Sequence, residues 1–267
     1  MQQNQDSLFW DDAFRQGLEG KRIAEGLLLW ALSGPSFALR TPQAMIYLDP
    51  FLGIGGPGLF RASAVPLNPR RITLADGVLM SHDHLDHCHE PTLRALAAGT
   101  PARFFGPASV VEKVLSFGLP RERVVEVKVG ERFTLGDATI AVWPGYDPGE
   151  PRAVSFVIES GGVKAFFAGD SLSGPALDEI GAAGDLDIAM MAFGRTWYMS
   201  QAEILDAALC LRPRLLLPYH WDIWYGHTGD PLKLGRLIEQ RKPPFAVEVL
   251  LLGECMHYRP DGQYTRE

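Results

Sequence analysis

Gly77-Val78-Leu79-Met80-Ser81-His82-Asp83-His84-Leu85-Asp86-His87 carries a short apolar run directly into three histidines and two aspartates. Gly77 to Met80 reads as a buried strand, and the change of character at Ser81 marks its end. A strand end opening into a loop can aim several side chains at one point, and imidazole with carboxylate is the ligand set of a hydrolytic divalent metal. His82 and His84 stand two apart, so on an extended segment they project to the same side. Asp86 and His87 follow after one residue, where the chain must turn, and can face a second metal or an incoming water. The bland alternative is a solvated polar loop. An ordered His-x-His-x-Asp-His array argues against it.

Three further apolar runs end in groups of the same kind. Upstream, Ile46-Tyr47-Leu48-Asp49-Pro50-Phe51 ends a strand on an aspartate. Downstream, Phe166-Phe167-Ala168-Gly169-Asp170-Ser171 and Leu217-Pro218-Tyr219-His220 do so on an aspartate and a histidine. His82, His84, Asp86, His87, Asp170 and His220 are enough ligands for one ion, or for two that share Asp170. Asp170 could instead cap a helix, and a lone histidine after a strand is more often structural than a ligand.

In this order and spacing the motifs resemble the signature of the metallo-β-lactamase superfamily, over roughly residues 27 to 225. The resemblance implies a four-layer αββα sandwich and one or two divalent ions. Within the superfamily the chain looks closest to the L-ascorbate-6-phosphate lactonase branch, through His220-Trp221-Asp222-Ile223-Trp224 and through Asp147 followed by Pro151-Arg152-Ala153-Val154. One departure stands out. After Ala141-Val142-Trp143-Pro144 many relatives place a histidine, whereas this chain has Gly145-Tyr146-Asp147, as the lactonase branch does. Asp147 is then either a hard oxygen ligand, which moves preference towards Mn²⁺ or Mg²⁺ relative to Zn²⁺, or a hydrogen-bond partner of a ligating histidine.

The remaining candidates are substrate groups. Arg152 and Arg195 could pair a phosphate or carboxylate bidentately, against the alternative of a surface charge. Trp224 and Trp221 wall the pocket or simply pack. Asp222 is a candidate catalytic proton shuttle beside His220, and Asp86 is a candidate both for the metal and for the attacking water. Cys88 adjoins the motif but reads as a buried thiol, His89 as a supporting side chain and His227 as a loop residue.

The 267 residues suffice for one large domain, residues 1–267 with a helical extension over 1–25, and 46% hydrophobic with 21% charged content is ordinary for a globular protein. A net charge of −7 with no basic cluster argues against nucleic acid. Three scattered cysteines do not make a disulfide framework. The N-terminus lacks the basic start and apolar centre of a signal peptide, and Leu27 to Leu32 is too short to span a bilayer. A cytoplasmic setting and no membrane are therefore expected.

In order, residues 7 to 25 read as an amphipathic helix with Ser7 as a cap, either packing on the domain or serving a contact in a homo-oligomer. Residues 52 to 70 are rich in Gly and Pro and read as an irregular loop, a candidate lid or a plain surface excursion. Helices opening at Pro91 and Pro107 alternate with a strand at 102–105, a βαβα rhythm. Hairpins follow around Gly136-Asp137 and Gly161-Gly162. Ser200 to Glu203 is a capping box opening a helix, Asp230-Pro231 starts a last helix, and Ala246 to Leu252 reads as the final strand.

Hydrolysis of an ester or lactone needs an activated water and a stabiliser for the developing oxyanion. A divalent metal supplies both, lowering the pKa of its water from about 15.7 to roughly 7. The expected function is a metal-dependent ester-bond hydrolase, using one or two Mn²⁺ or Zn²⁺ ions. Its substrate is expected to be a lactone or ester of a sugar phosphate or similar small molecule. The alternatives are a phosphodiesterase or nuclease of the same fold, or a binding protein that has lost its metal.

Overall fold

Leu27-Leu28-Leu29-Trp30-Ala31 shows why the chain builds layers. Its period of two sends Leu27, Leu29 and Ala31 into one buried cluster, and Leu28 and Trp30 into another. A strand that is apolar on both faces has to be covered on both. The computed structural model describes residues 9–10, 12–56, 59–194 and 196–267.

The first half runs α1 (Asp12–Gly20), β1 (Leu27–Ala31), β2 (Phe37–Arg40), β3 (Met45–Leu48), β4 (Gly55–Gly56), β5 (Leu59–Phe60), β6 (Gly77–Leu79), α2 (Glu90–Gly99), β7 (Arg103–Gly106), α3 (Ala108–Ser116) and β8 (Val124–Glu126). The second half runs β9 (Arg132–Leu135), β10 (Ala138–Pro144), β11 (Val154–Ser160), β12 (Val163–Phe167), α4 (Pro175–Ala182), β13 (Ile188–Ala192), α5 (Gln201–Leu211), β14 (Leu215–Tyr219), α6 (Pro231–Arg241), β15 (Ala246–Val247), β16 (Cys255–Tyr258) and β17 (Tyr264–Arg266). Among the described residues an eight-stranded sheet has the order β17-β16-β1-β2-β3-β6-β7-β8, and a seven-stranded sheet β15-β14-β13-β12-β11-β10-β9.

The two sheets face each other across Leu29, Ile46, Leu48 and Phe105 on one side and Phe156, Phe167, Met190 and Leu217 on the other. Outside the first sheet, Trp30, Tyr47 and Phe104 pack with Leu18 of α1, Leu93 and Leu96 of α2 and Val110 and Val114 of α3. Outside the second, Phe166, Ala189 and Leu216 pack with Leu177 of α4, Ile204 and Leu205 of α5 and Leu234 of α6. This is the four-layer αββα sandwich. Each fully buried Leu, Ile or Phe contributes about 1.5–3 kcal/mol by leaving water, so the doubly apolar strands hold the layers together. Caps set two of the outer helices: Ser200 and Glu203 close a reciprocal capping box on α5, and Asp230 accepts from Leu232 and Lys233 N–H at the start of α6.

The structure corrects several expectations. The N-terminal helix is confined to Asp12–Gly20, and its expected cap, Ser7, lies outside the described residues. The segment 52–70 is not wholly irregular, because β4 and β5 pair as a small hairpin. Only Ala246–Val247 of the expected final strand pairs, beside β14. The chain ends instead on β16 and β17, which return to β1 at the edge of the first sheet. Their short mixed sequence, Cys255-Met256-His257-Tyr258, carries no strong strand period. Among the described residues no helix is long and apolar enough to cross a membrane.

Candidate metal centre

Parallel pairing aligns strand ends. Leu48 of β3 faces Leu79 of β6, while Phe167, Met190 and Leu217 line up across β12, β13 and β14. Asp49, the His82–His87 segment, Asp170 and His220 therefore leave their strands at one edge, the carboxyl ends where open α/β sheets place their ligands. The Val154 N–H donates to the Ser81 carbonyl at 2.9 Å and ties that edge of one sheet to the other. The β10–β11 connection then brings in Asp147.

The donors form three overlapping sets, of which the set of Asp49, His82 and His87 is tied up by the hydrogen bonds of Asp49, leaving two groups. In the first, His82 Nε2 lies 2.9 Å from His84 Nδ1, 3.6 Å from Asp147 Oδ2 and 3.9 Å from Asp170 Oδ2. In the second, His220 Nε2 lies 3.3 Å from His87 Nε2, from Asp86 Oδ2 and from Asp170 Oδ1. Asp170 thus turns one oxygen to each group. Ligand atoms about 2.0–2.2 Å from a tetrahedral ion stand about 3.4 Å apart, and the observed spacings bracket that value. Asp147 Oδ2 and Asp170 Oδ1 are buried and accept no hydrogen bond. A buried carboxylate oxygen without a donor is costly, and a divalent cation in each group would satisfy both. The residues fit the ions that the sequence implies.

The supporting contacts are specific. Asp49 Oδ2 lies 2.7 Å from His87 Nδ1 and accepts from Ser81 Oγ at 2.5 Å, while Oδ1 accepts from the Ser81 N–H at 2.7 Å. With its oxygens engaged this way Asp49 orients His87 rather than ligating, leaving His87 Nε2 to face Asp170. Trp224 Nε1–H donates to Asp86 Oδ2 at 3.2 Å. Gly169 is required as glycine: its φ is +62°, and a Cβ there would stand 2.6 Å from Ser81 Oγ. Tyr219 Oη donates to the Gly169 carbonyl at 2.6 Å and anchors the same turn. Asp49 and His220 hold left-handed backbone, φ +40° and +69°, a strain of about 1–3 kcal/mol per residue that clusters at functional sites.

The electrostatics ask for positive charge. Burial alone would depress His87, but the Asp170, Asp49 and Asp86 carboxylates around it outweigh burial and raise its pKa well above the ordinary imidazole value. Burial would raise Asp86, yet His87 and His220 hold it down at about 2. Burial and the neighbouring His87 keep His82 well below the ordinary value, hence neutral with a lone pair to give. A proton on His87 and a divalent cation are competing ways to balance the same carboxylates.

His84, Asp86, Asp147 and Asp170 form one wall of a cleft of about 530 Å³. Trp224 lines it. Two other sequence candidates do not. Asp222 faces away, accepting from the Gly34 N–H at 2.9 Å. With Gly34 and His220 it lines a separate small pocket rather than the cleft. Arg152 pairs with Glu150 at 3.4 Å and Glu112 at 3.6 Å, half exposed and off the cleft lining. Arg195 lies outside the described residues. Cys88 is buried against the outer core, and its thiol is pushed by burial to about 12. His89 bonds Thr92 at 2.8 Å. His227 stacks on Trp197, ring centroids 4.3 Å apart, at the cleft edge. Sequence reasoning passed over Trp197 and Tyr198, both of which line the cleft; the Tyr198 ring lies 4.3 Å from that of His220. The adjacent aromatic pair in a loop was the available signal.

Residues 45–221 match the family described as the beta-lactamase superfamily domain. Proteins described as probable L-ascorbate-6-phosphate lactonases, from Escherichia fergusonii and Salmonella paratyphi B, are 27% identical over 208 residues, 68% of this chain and 59% of theirs. The chain thus spans less than two thirds of the length of these relatives. Among solved structures, a metallo hydrolase from Ignicoccus hospitalis superposes with a TM-score of 0.70 at 20% identity, covering 90% of this chain and 98% of that one. An isothiocyanate hydrolase from Delia radicum gut bacteria superposes at 0.72 with 16% identity, covering 87% and 99%. These two likenesses speak for the fold.

Proposed function

The chain belongs to the β-lactamase superfamily and carries a metal-capable His/Asp cluster, and from that premise we propose that it hydrolyses a lactone or ester of a small molecule at two divalent ions. The observation that carries this reading is the pair of donor groups to which Asp170 turns its two oxygens, with buried, unpartnered oxygens on Asp147 and Asp170. His82, His84, Asp147 and Asp170 would hold one ion, and Asp86, His87, His220 and Asp170 the other. When bound, such ions acidify a water and polarise the carbonyl under attack. Water adds to the acyl carbon, the acyl C–O bond breaks, and the products are the acid and the alcohol, or one hydroxy acid from a lactone.

The chain's own residues set the stage for that chemistry. Asp49 holds the His87 tautomer, and Trp224 aims the Asp86 carboxylate. Asp147 would offer a hard oxygen to an ion held beside the half-exposed His84 ring, which would shift preference towards Mn²⁺ compared with an all-imidazole site. Leu59, Leu85, Leu172, Trp197, Tyr198 and Trp224 give the cleft an apolar part to its lining. A phosphodiesterase or nuclease would want a basic groove, and the described cleft lining contains neither Lys nor Arg.

The test is metal analysis of the purified chain together with a panel of lactones, esters and phosphodiesters. The expected result is about two ions per chain and metal-dependent turnover of lactones or esters. A chain that binds no divalent ion, or that cleaves only phosphodiesters, overturns the reading.

A further inference from the structure

The walls of the cleft say more about the substrate than its floor does. Besides the carboxylates and His84, the cleft is lined by Leu59, Leu85, Leu172, Trp197, Tyr198 and Trp224. Of these lining residues Leu85 is 39% and Trp197 47% exposed, so the apolar lining reaches the surface; Phe60 and Tyr225, 71% and 80% exposed, follow Leu59 and Trp224 in sequence without lining the cleft. Phe60 and Tyr225 are joined by a Tyr225 N–H to Phe60 carbonyl bond of 2.9 Å. Exposed apolar side chains gathered at the mouth of one cavity mark a binding surface rather than scattered surface residues.

Charge points the same way. Arg61 does not line the cleft: its guanidinium donates to the Phe51 carbonyl at 2.7 Å and the Leu32 carbonyl at 2.9 Å. Arg152 is taken by Glu150 and Glu112. Among the described residues that line the cleft there is no Lys or Arg to pair a dianion. Away from the metal groups, a phosphate entering this cleft would shed its hydration without a cationic side chain among the described lining residues.

Resting on the hydrolase reading, we infer that the substrate is an uncharged lactone or ester carrying a sizeable aliphatic or aromatic group, not a sugar phosphate. The acyl or aryl group lies between Leu172, Trp197 and Trp224 while the carbonyl faces the donor groups, and the cleft's volume of about 530 Å³ is that of a small-ligand site. Each methylene the walls bury is worth about four-fold in affinity, so selectivity is expected to rise with chain length.

The experiment uses the full chain loaded with Mn²⁺ or Zn²⁺ and two separate readouts. The first is kcat/KM for p-nitrophenyl acetate, butyrate and hexanoate, for γ-butyrolactone and γ-nonalactone, and for 6-phosphogluconolactone. The second is quenching of tryptophan fluorescence by 2-decanone, a carbonyl compound that hydrolysis cannot consume, against glucose 6-phosphate. The inference expects at least about thirty-fold higher kcat/KM for hexanoate than acetate, preference for γ-nonalactone over the phosphorylated lactone, and saturable quenching by the ketone alone. Trp197→Ala and Leu172→Ala should each shrink the hexanoate-to-acetate ratio several-fold. Preference for 6-phosphogluconolactone, or quenching by glucose 6-phosphate alone, overturns the inference and leaves the hydrolase reading standing. Ketone binding without turnover of any ester or lactone supports the apolar site and overturns the hydrolase reading instead.

Discussion

Replacing Asp49 by asparagine isolates the contact that sets the chemistry of His87. Asp49 is fully buried and accepts from both donors of Ser81 while its Oδ2 faces His87 Nδ1 at 2.7 Å. A carboxylate there requires the proton on Nδ1 and leaves the Nε2 lone pair facing Asp170 Oδ1 at 3.2 Å and His220 Nε2 at 3.3 Å. Asparagine keeps the shape but has only one acceptor oxygen. With that oxygen held by the Ser81 N–H, its amide donates to His87 Nδ1 and moves the ring proton to Nε2, where it blocks ligation. Losing such a supporting partner typically costs about 10–100-fold in metal affinity, which is about 1.4–2.7 kcal/mol. The loss should fall mainly on the inner ion, held by Asp86, His87 and His220, because Asp49 reaches the outer donor His82 only through Ser81 Oγ, 2.9 Å from His82 Nδ1. Competition against a chelator with two-site fitting reads the two affinities separately, and melting with and without metal checks that the variant folds. If a folded Asp49→Asn chain keeps both affinities within two-fold of wild type, the tautomer argument is wrong.

Four further outcomes are expected. His84→Ala should abolish hydrolysis while shifting the melting temperature by only a few degrees, because the His84 side chain is 47% exposed and contributes little to the core; failure to fold even with excess metal would make the site structural. Asp147→Asn should weaken the outer ion, and Asp147→His should shift preference from Mn²⁺ towards Zn²⁺ by trading a carboxylate for an imidazole; unchanged preference in both, read by metal titration, excludes Asp147 as a ligand. Gly169→Ala should destabilise by more than about 1 kcal/mol and lower metal affinity, since its Cβ would press on Ser81; urea titration measures the first and chelator competition the second. Burial pushes Asp137 up, but bonds from Ser160, Thr41 and the Gln43 N–H prevail and hold it below the ordinary carboxylate value. The unfolded chain then binds more protons, so this contribution is present above about pH 4 and lost as pH falls below it. Asp137→Ala should cost about 1–2 kcal/mol at pH 7 and progressively less in urea melts below pH 4.

What the sequence determined by itself was local and periodic. The alternation in Leu27–Ala31 and Ile188–Ala192 comes from side chains that a strand must send to two buried faces, and that pattern alone demands layers on both sides of a sheet. The His-x-His-x-Asp-His segment, Asp170 and His220 were legible because each ends an apolar run, and a strand end is where backbone order gives way to directed side chains. Other features depend on which segments meet, which no local pattern encodes. Cys255–Tyr258 became a strand of the first sheet only by finding β1 more than two hundred residues away. Asp222 sits two residues from His220, yet the left-handed backbone at His220, φ +69°, turns it onto Gly34 and out of the cleft. Arg152 carried a charge that could have served substrate until Glu112 and Glu150 claimed it. Trp197 and Tyr198 gained their place because α5 and β14 pack their loop against His220. Sequence order sets which groups leave the strands; the packing of the two sheets decides which of them share one volume, because burial and charge are properties of neighbours in space.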